Sequence, residues 1–167
     1  RATSRHKNDR RDAELILKLL MQGEFPALWR RPAESTQVID IIGLRSQLVR
    51  QRTQMYNRLQ ALAHSIGMPK GRMRTAAFQA VLKGAEMDEA SSIRREHLFS
   101  MAEELSCRID KLNEWLMKKA EGNSSVRLLQ TQKGVGYLTA LITVHTLGDL
   151  SRFKKVTKEV VGFAGLD

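Results

Sequence analysis

Apolar residues recur along this chain in steps of three and four, and almost nowhere in strict alternation. Between about Ser35 and Ile66, the positions Val38, Ile41, Leu48, Met55, Leu59, Leu62 and Ile66 lie three, four or seven apart, the period of one helix face. A helix of that span is about 45–50 Å long at ~1.5 Å per residue. Arg45 and Arg52 interrupt the row, so each either pairs with an acid across a helix pair or faces a bound polyanion. A second long segment, about Ser91 to Lys119, carries Leu98, Ala102, Leu105, Ile109, Leu112 and Leu116 in alternating steps of four and three. That heptad stripe needs a facing helix to cover it. Two such rods predict an antiparallel hairpin. Periodicity leaves open whether they form the core of a bundle or a coiled coil between chains.

Shorter elements flank the pair. A basic arm, Arg1 to Asn8, precedes a helix that opens near Asp9, presents Ala13, Leu15, Ile16, Leu19 and Leu20 on one side, and stops at Gly23. Phe25 to Pro32 contains two prolines and reads as an extended connector. Gly67 to Arg74 breaks the first rod, and a short helix is expected over Ala76 to Leu82, ended by Gly84. Glu121 to Ser125 is small and polar and reads as a linker. After it come a short helix from Val126, a tight turn at Gly134 and Gly136, and a helix over Tyr137 to Leu147. Gly148 to Ser151 closes that helix, and another starts near Lys158 and runs to Ala164. The expected fold class is all-α: a long antiparallel helical hairpin or coiled coil, followed by a helix-hairpin-helix-like element.

Composition narrows the partners. Aromatic residues are 5% of the 167 positions and prolines number three, which suits helices better than strands. Lys and Arg total 28 against 18 Asp and Glu, a formal charge of +10. A surplus of that size repels itself unless a polyanion neutralises it, so nucleic acid is the leading partner. An anionic membrane is the rival, but no apolar run approaches the ~18 residues of a spanning helix, and no cleavable signal segment is visible. The single cysteine, Cys107, has no partner for an internal disulfide, which fits a reducing cytoplasm. The chain begins at Arg1 rather than Met and ends at Asp167 after an apolar run, so it is expected to be an internal piece of a longer protein.

Two local patterns carry candidate chemistry. In Lys7-Asn8-Asp9-Arg10-Arg11-Asp12-Ala13, Asp9 and Asp12 are three apart at the head of a helix, so their carboxylates share a face. Paired carboxylates supply the hard oxygen ligands that hold Mg²⁺ beside a phosphate in two-metal phosphoryl transfer. The same acids also suit a helix start, capping it and complementing its dipole. In Lys133-Gly134-Val135-Gly136, glycines between two helices let the backbone approach a phosphate, towards which the next helix points its N–H groups. A plain helical-hairpin turn with Gly134 as a cap is the alternative. Arg152, Lys154, Lys155 and Lys158 lie just downstream. Other cations, among them Arg30, Arg31, Arg50, Lys70, Arg72 and Arg74, suit a solvated face. His6, His64, His97 and His145 lack metal-ligand spacing and read as structural, Trp29 and Trp115 read as packing residues, and no serine sits in a nucleophile setting.

In their order and distance these motifs resemble the DEDD-type insertion-sequence transposases related to the Piv invertase. Lys7 to Glu14 looks like the Lys-x-Asp-x-x-Asp-Ala signature that ends the family's RuvC-like domain. Arg45 to Leu59, with Tyr56-Asn57-Arg58-Leu59, is similar to its long helix with the pattern Arg-x-x-Leu-x-Asn-Arg-Leu. Leu129 to Leu166, through Gly134-Val135-Gly136, Leu147-Gly148-Asp149-Leu150-Ser151-Arg152-Phe153 and Ala164-Gly165-Leu166, looks like the opening of its C-terminal transposase domain.

The resemblance implies a division into 1–33, the end of a RuvC-like domain and connector; 34–121, a long-helix coiled-coil region; and 122–167, the start of the C-terminal domain. It implies that Asp9 and Asp12 are the last two of four acids that bind Mg²⁺, with the first two before Arg1 and a nucleophilic serine beyond Asp167. It further implies DNA as substrate, a structured guide RNA from the element, and a homo-oligomer held through the long helices, in the bacterial cytoplasm. The intact protein is then a transposase or site-specific recombinase, and this segment alone is expected to be inactive. Candidate nucleic-acid contacts are Lys7, Arg10, Arg11, Arg45, Arg52, Arg58, Lys133, Gly134, Val135, Gly136, Arg152, Lys154 and Lys155. The competing reading is a stand-alone helical DNA- or RNA-binding module without catalytic activity.

Overall fold

Two 33-residue helices dominate the computed structural model, which describes residues 9–24, 29–153, 155–163 and 165. The described residues form seven α-helices and no strand: α1 (Asp9–Met21), α2 (Ala33–Ser65), α3 (Ala76–Gly84), α4 (Glu89–Glu121), α5 (Ser124–Gln130), α6 (Tyr137–Leu147) and α7 (Val156–Phe163). A 3-10 turn, Leu150–Arg152, precedes α7. The all-α expectation is met. The expected arm over Arg1 to Asn8 and the Phe25–Leu28 part of the connector lie outside the described residues.

The chain divides into two units, Arg1–Arg30 and Arg31–Asp167. In the first, α1 ends in a turn where Gly23 N–H donates to Leu20 O and Glu24 N–H to Leu19 O, a glycine-based helix stop. No residue of α1 is buried. Leu15, Ile16, Leu17 and Leu20 are 49–59% exposed, so the apolar side that defines this helix is uncovered.

In the second unit α2 and α4 run antiparallel. Glu34 meets Lys119, Arg45 meets Asn113 and Arg52 meets Ser106, so rising numbers on one helix meet falling numbers on the other. Two apolar clusters hold the pair. One joins Met55, Leu59 and Ala63 of α2 to Leu98, Phe99 and Ala102 of α4, with Met73 and Leu82 from the connection between them. The other joins Val38 and Ile42 of α2 to Leu116 and Ala120 of α4, and to Val126, Ala140 and Leu141 of α5 and α6. Leu59, Leu82 and Leu116 are fully buried, and burying such a side chain contributes roughly 1.5–3 kcal/mol each.

The connection between the rods is built, not loose. Thr75 Oγ1 accepts from Phe78 N at the start of α3, and Asp88 Oδ1 accepts from Ser91 N at the start of α4. Arg95 of α4 donates to Leu82 O and Ala85 O, satisfying carbonyls at the end of α3.

Two sequence expectations change. The stretch Glu121 to Ser125 is no spacer: Asn123 Oδ1 accepts from Val126 N, and α5 begins at Ser124, inside the expected linker. Asn and Ser favour helix starts as strongly as they favour loops. Trp29 and Trp115, expected as packing residues, are 40% and 36% exposed. Trp115 lies beside Leu116, which takes the core position, while Lys119 Nζ sits 5.5 Å above the indole ring. Among the described residues Arg45 and Arg52 meet no acid across the pair. They donate to the neutral acceptors Asn113 and Ser106, and both arginines are half-buried. Their aliphatic stems can lie in the helix interface while the guanidinium reaches its edge.

Candidate nucleic-acid interface

The expected glycine turn is present between α5 and α6. Val135 N–H donates to Gln132 O, and Gly134, third residue of this turn, has φ +89°. That backbone conformation strains any residue with a Cβ. Gly136 differs: its φ is −80° and a Cβ there would meet nothing within 4 Å. Glycine at 136 is therefore not demanded by the fold. Gly136, exposed like nearby Lys133, caps the eleven-residue α6 without a side-chain hydrogen bond. Val135 is half-buried against the second apolar cluster and anchors the turn.

One hydrogen-bonded node fixes the turn to the rods. Asn113 Oδ1 accepts from Arg45 Nε at 2.6 Å and from the hydroxyl of Tyr137, the first residue of α6, at 3.2 Å. Arg45 thus joins the glycine turn through Asn113, a link that spacing could not show. Neither Asn113 nor Tyr137 stood out in the sequence. The available signal was a polar residue beside the Leu112 stripe position.

A second polar contact was also missed. Ser35 of α2 and His145 of α6 are buried, with Ser35 Oγ 3.0 Å from His145 Nδ1. Desolvation lowers the His145 pKa below its ordinary value, opposed by nearby Glu34 and assisted by Lys119. Glu34 itself is lowered, first by its hydrogen bond to Lys119 and then by that ammonium's charge. His145 therefore is structural, as expected, and ties the start of α2 to the end of α6.

The remaining candidates divide by environment. Asp9 and Asp12 both lie in the exposed first turn of α1. Their oxygens suit a hard divalent cation, but among the described residues no group of three or more His, Cys, Asp or Glu could hold one. Arg10 Nε binds Glu14 Oε1 at 3.1 Å on the solvated side of α1, where Arg11 is also exposed. Arg58 is exposed on α2 and lines a shallow cleft with Arg94 and His97 of α4. Arg152 is clasped: Nε donates to Leu147 O, and the guanidinium carbon lies 4.2 Å from the Phe153 ring centre and 4.9 Å from that of Phe163. Lys155 is exposed, while Lys7 and Lys154 lie outside the described residues. No described helix is long and apolar enough to cross a membrane.

Comparison with known proteins gives the class first. Residues 1–68 match a DEDD family described as Transposase, of the IS110 type, a stretch that contains Asp9, Asp12 and the Arg45–Leu59 pattern. Similarity then continues through the rest of the chain. The transposase for insertion sequence element IS1111A of Coxiella burnetii is 26% identical over 166 residues, 96% of this chain and 45% of the relative. A putative transposase of Sinorhizobium fredii, y4pF/y4sB, is 28% identical over 156 residues, 90% of this chain and 40% of that protein. A probable family 20 transposase of Pseudomonas aeruginosa is 26% identical over 154 residues, 89% of this chain and 46% of that protein. No solved structure matches significantly. The chain spans less than half the length of these curated relatives. Its similarity is thus to DEDD transposases of insertion sequences, the family that its motifs resemble.

Proposed function

We propose that this chain is the nucleic-acid-gripping middle of a DNA transposase that moves an insertion sequence by Mg²⁺-dependent strand cleavage and exchange. The observation that carries the reading is the similarity to named transposases along about nine-tenths of the chain or more. The charge of +10 supports it independently. Asp9 and Asp12 contribute two ligands to a divalent-cation site completed by acids elsewhere in the protein. Segment 1–33 closes that catalytic domain, 34–121 is the scaffold through which copies pair, and 122–167 opens a second catalytic domain. DNA is the substrate, a structured RNA of the element is the guide, and the bacterial cytoplasm is the setting.

Lys133 to Gly136 grips a nucleic-acid backbone, with the N-terminus of α6 facing a phosphate. Arg10, Arg11, Arg58 and Lys155 supply sequence-independent cationic contacts. Arg45, Arg52 and Arg152 already have protein partners, so they act chiefly by holding the surface in shape.

The test is a transposition assay with the full-length protein. Asp9→Ala or Asp12→Ala abolishes strand exchange while duplex binding survives; recombination at the parental rate in both variants overturns the metal role. Gly136→Ala addresses the turn, because its backbone angle and open surroundings tolerate a methyl group. It should leave the helices intact by circular dichroism and weaken DNA binding. Unchanged binding returns the turn to a plain helical hairpin. Affinity should also fall steeply with salt, through counterion release.

A further inference from the structure

Away from the glycine turn, a cleft of ≈ 290 Å³ opens where the middle of α2 meets the segment leading into α3. One wall is a polar stripe on α2: Thr53, Tyr56, Asn57 and Gln60, three, four and seven residues along one face. The other wall is the backbone from Gly71 to Arg74. That wall is pre-formed. Met73 is buried in the first apolar cluster, and Gln79 Nε2 donates to its carbonyl at 2.8 Å. A Cβ at Gly71 would lie 1.9 Å from the Phe78 ring, so glycine alone lets the segment press against α3. Arg72 and Arg74 are exposed at the rim, and Arg74 Nη2 reaches Thr53 Oγ1 at 3.5 Å. No carboxylate lines the cleft.

We propose that this cleft accepts one unstacked nucleotide of a single-stranded nucleic acid. The chemistry matches part by part. The Tyr56 ring offers a stacking platform, the Asn57 amide presents a donor and an acceptor to a base edge, the Gln60 amide, whose Nε2 lies 3.3 Å from His64 Nε2, adds an acceptor, and the two arginines meet the flanking phosphates. The concave shape favours an extruded base over a duplex read in its groove. Groove reading needs a protruding element, whereas a concave site of this volume, at the small end for ligand pockets, holds a single extruded base. This inference rests on the nucleic-acid reading above and specifies the form the nucleic acid takes.

The experiment compares one sequence as single-stranded RNA, single-stranded DNA and blunt duplex DNA, each carrying a single 5-iodouracil. Binding is read by fluorescence anisotropy, and photocrosslinks are mapped by mass spectrometry. A single strand should crosslink at Tyr56, and whichever of RNA or DNA does so identifies the source. Tyr56→Phe keeps the ring and the affinity, while Tyr56→Ala weakens single-strand binding about tenfold or more. Because Tyr56 also packs against the first apolar cluster, exposed Asn57 provides a second variant: Asn57→Ala leaves folding unchanged and alters preference among bases at the crosslinked position. Single strands that bind no better than duplex, with no crosslink at Tyr56 and no effect of either alanine, overturn the cleft and leave the wider reading standing. Failure of all three nucleic acids to bind overturns both.

Discussion

Helices α1 and α4 carry apolar side chains at the same helical period, yet none of α1's is buried, whereas α4 buries Leu98, Phe99, Ala102, Ile109, Leu116 and Ala120. The difference is the presence of a facing surface. Helix α4 has α2 alongside it over most of its length, with α5 and α6 joining at one end. An amphipathic pattern states that a helix has a side to bury, and says nothing of what will cover it. In α1 the exposed apolar side coexists with two acids, Asp9 and Asp12, in its first turn.

Truncating each helix sharpens this contrast most. Leu116→Ala, at a fully buried position, should cost about 2–5 kcal/mol in equilibrium urea unfolding, because it removes transfer energy and leaves a cavity. Leu17→Ala, at 58% exposure, should change stability by no more than about 0.5 kcal/mol. Equal losses would show that α1 is as firmly packed as α4. Next in size is Asn113→Ala, which deprives Arg45 and Tyr137 of their shared acceptor and should cost about 1–3 kcal/mol. It should also loosen the start of α6, measured as faster amide exchange there.

A pH series gives a smaller effect with a definite sign. His145 has its folded-state pKa lowered below 6.5, chiefly by desolvation, so the unfolded chain binds the proton more readily. Stability is then fully present above about pH 6.5 and falls as the pH drops through the folded-state value. His145→Gln should flatten that slope between pH 7 and 5; an unchanged slope assigns the titration elsewhere. The smallest effect belongs to Glu103→Gln. Its partner Lys83 lies 2.9 Å away with both side chains more than half exposed, so the change should stay below about 1 kcal/mol.

Much of the fold was legible because helical periodicity is a local property. The spans of α1, α2, α3, α4 and α6 follow from apolar spacing and from glycines at their ends, and the bounds agree to within about two residues. The start of α5 falls two residues before the expected Val126, inside the expected linker, since Asn123 and Ser124 signal a cap and a loop alike. That Leu116 and not Trp115 takes the core position on α4 was not legible, because size and hydrophobicity do not reveal which side of a helix faces a partner. At the candidate interface, the glycine turn was visible, but Asn113, Tyr137 and the Ser35–His145 contact join residues 24 and 110 positions apart. No spacing rule reaches across such distances.

What the order of residues settled by itself was the helical class, the two rods, the surplus of positive charge, and a resemblance to transposases through short ordered motifs. These depend on neighbours within a turn or two, or on a sum over the chain. Tertiary structure decided which stripes are covered, that Arg45 and Arg52 bind neutral partners, and that Gly134 alone of the turn's glycines is held at positive φ. It also brought the polar stripe of α2 against Gly71 to Arg74 to make a cleft. Each of these depends on which distant surfaces meet, and packing rather than local preference sets that.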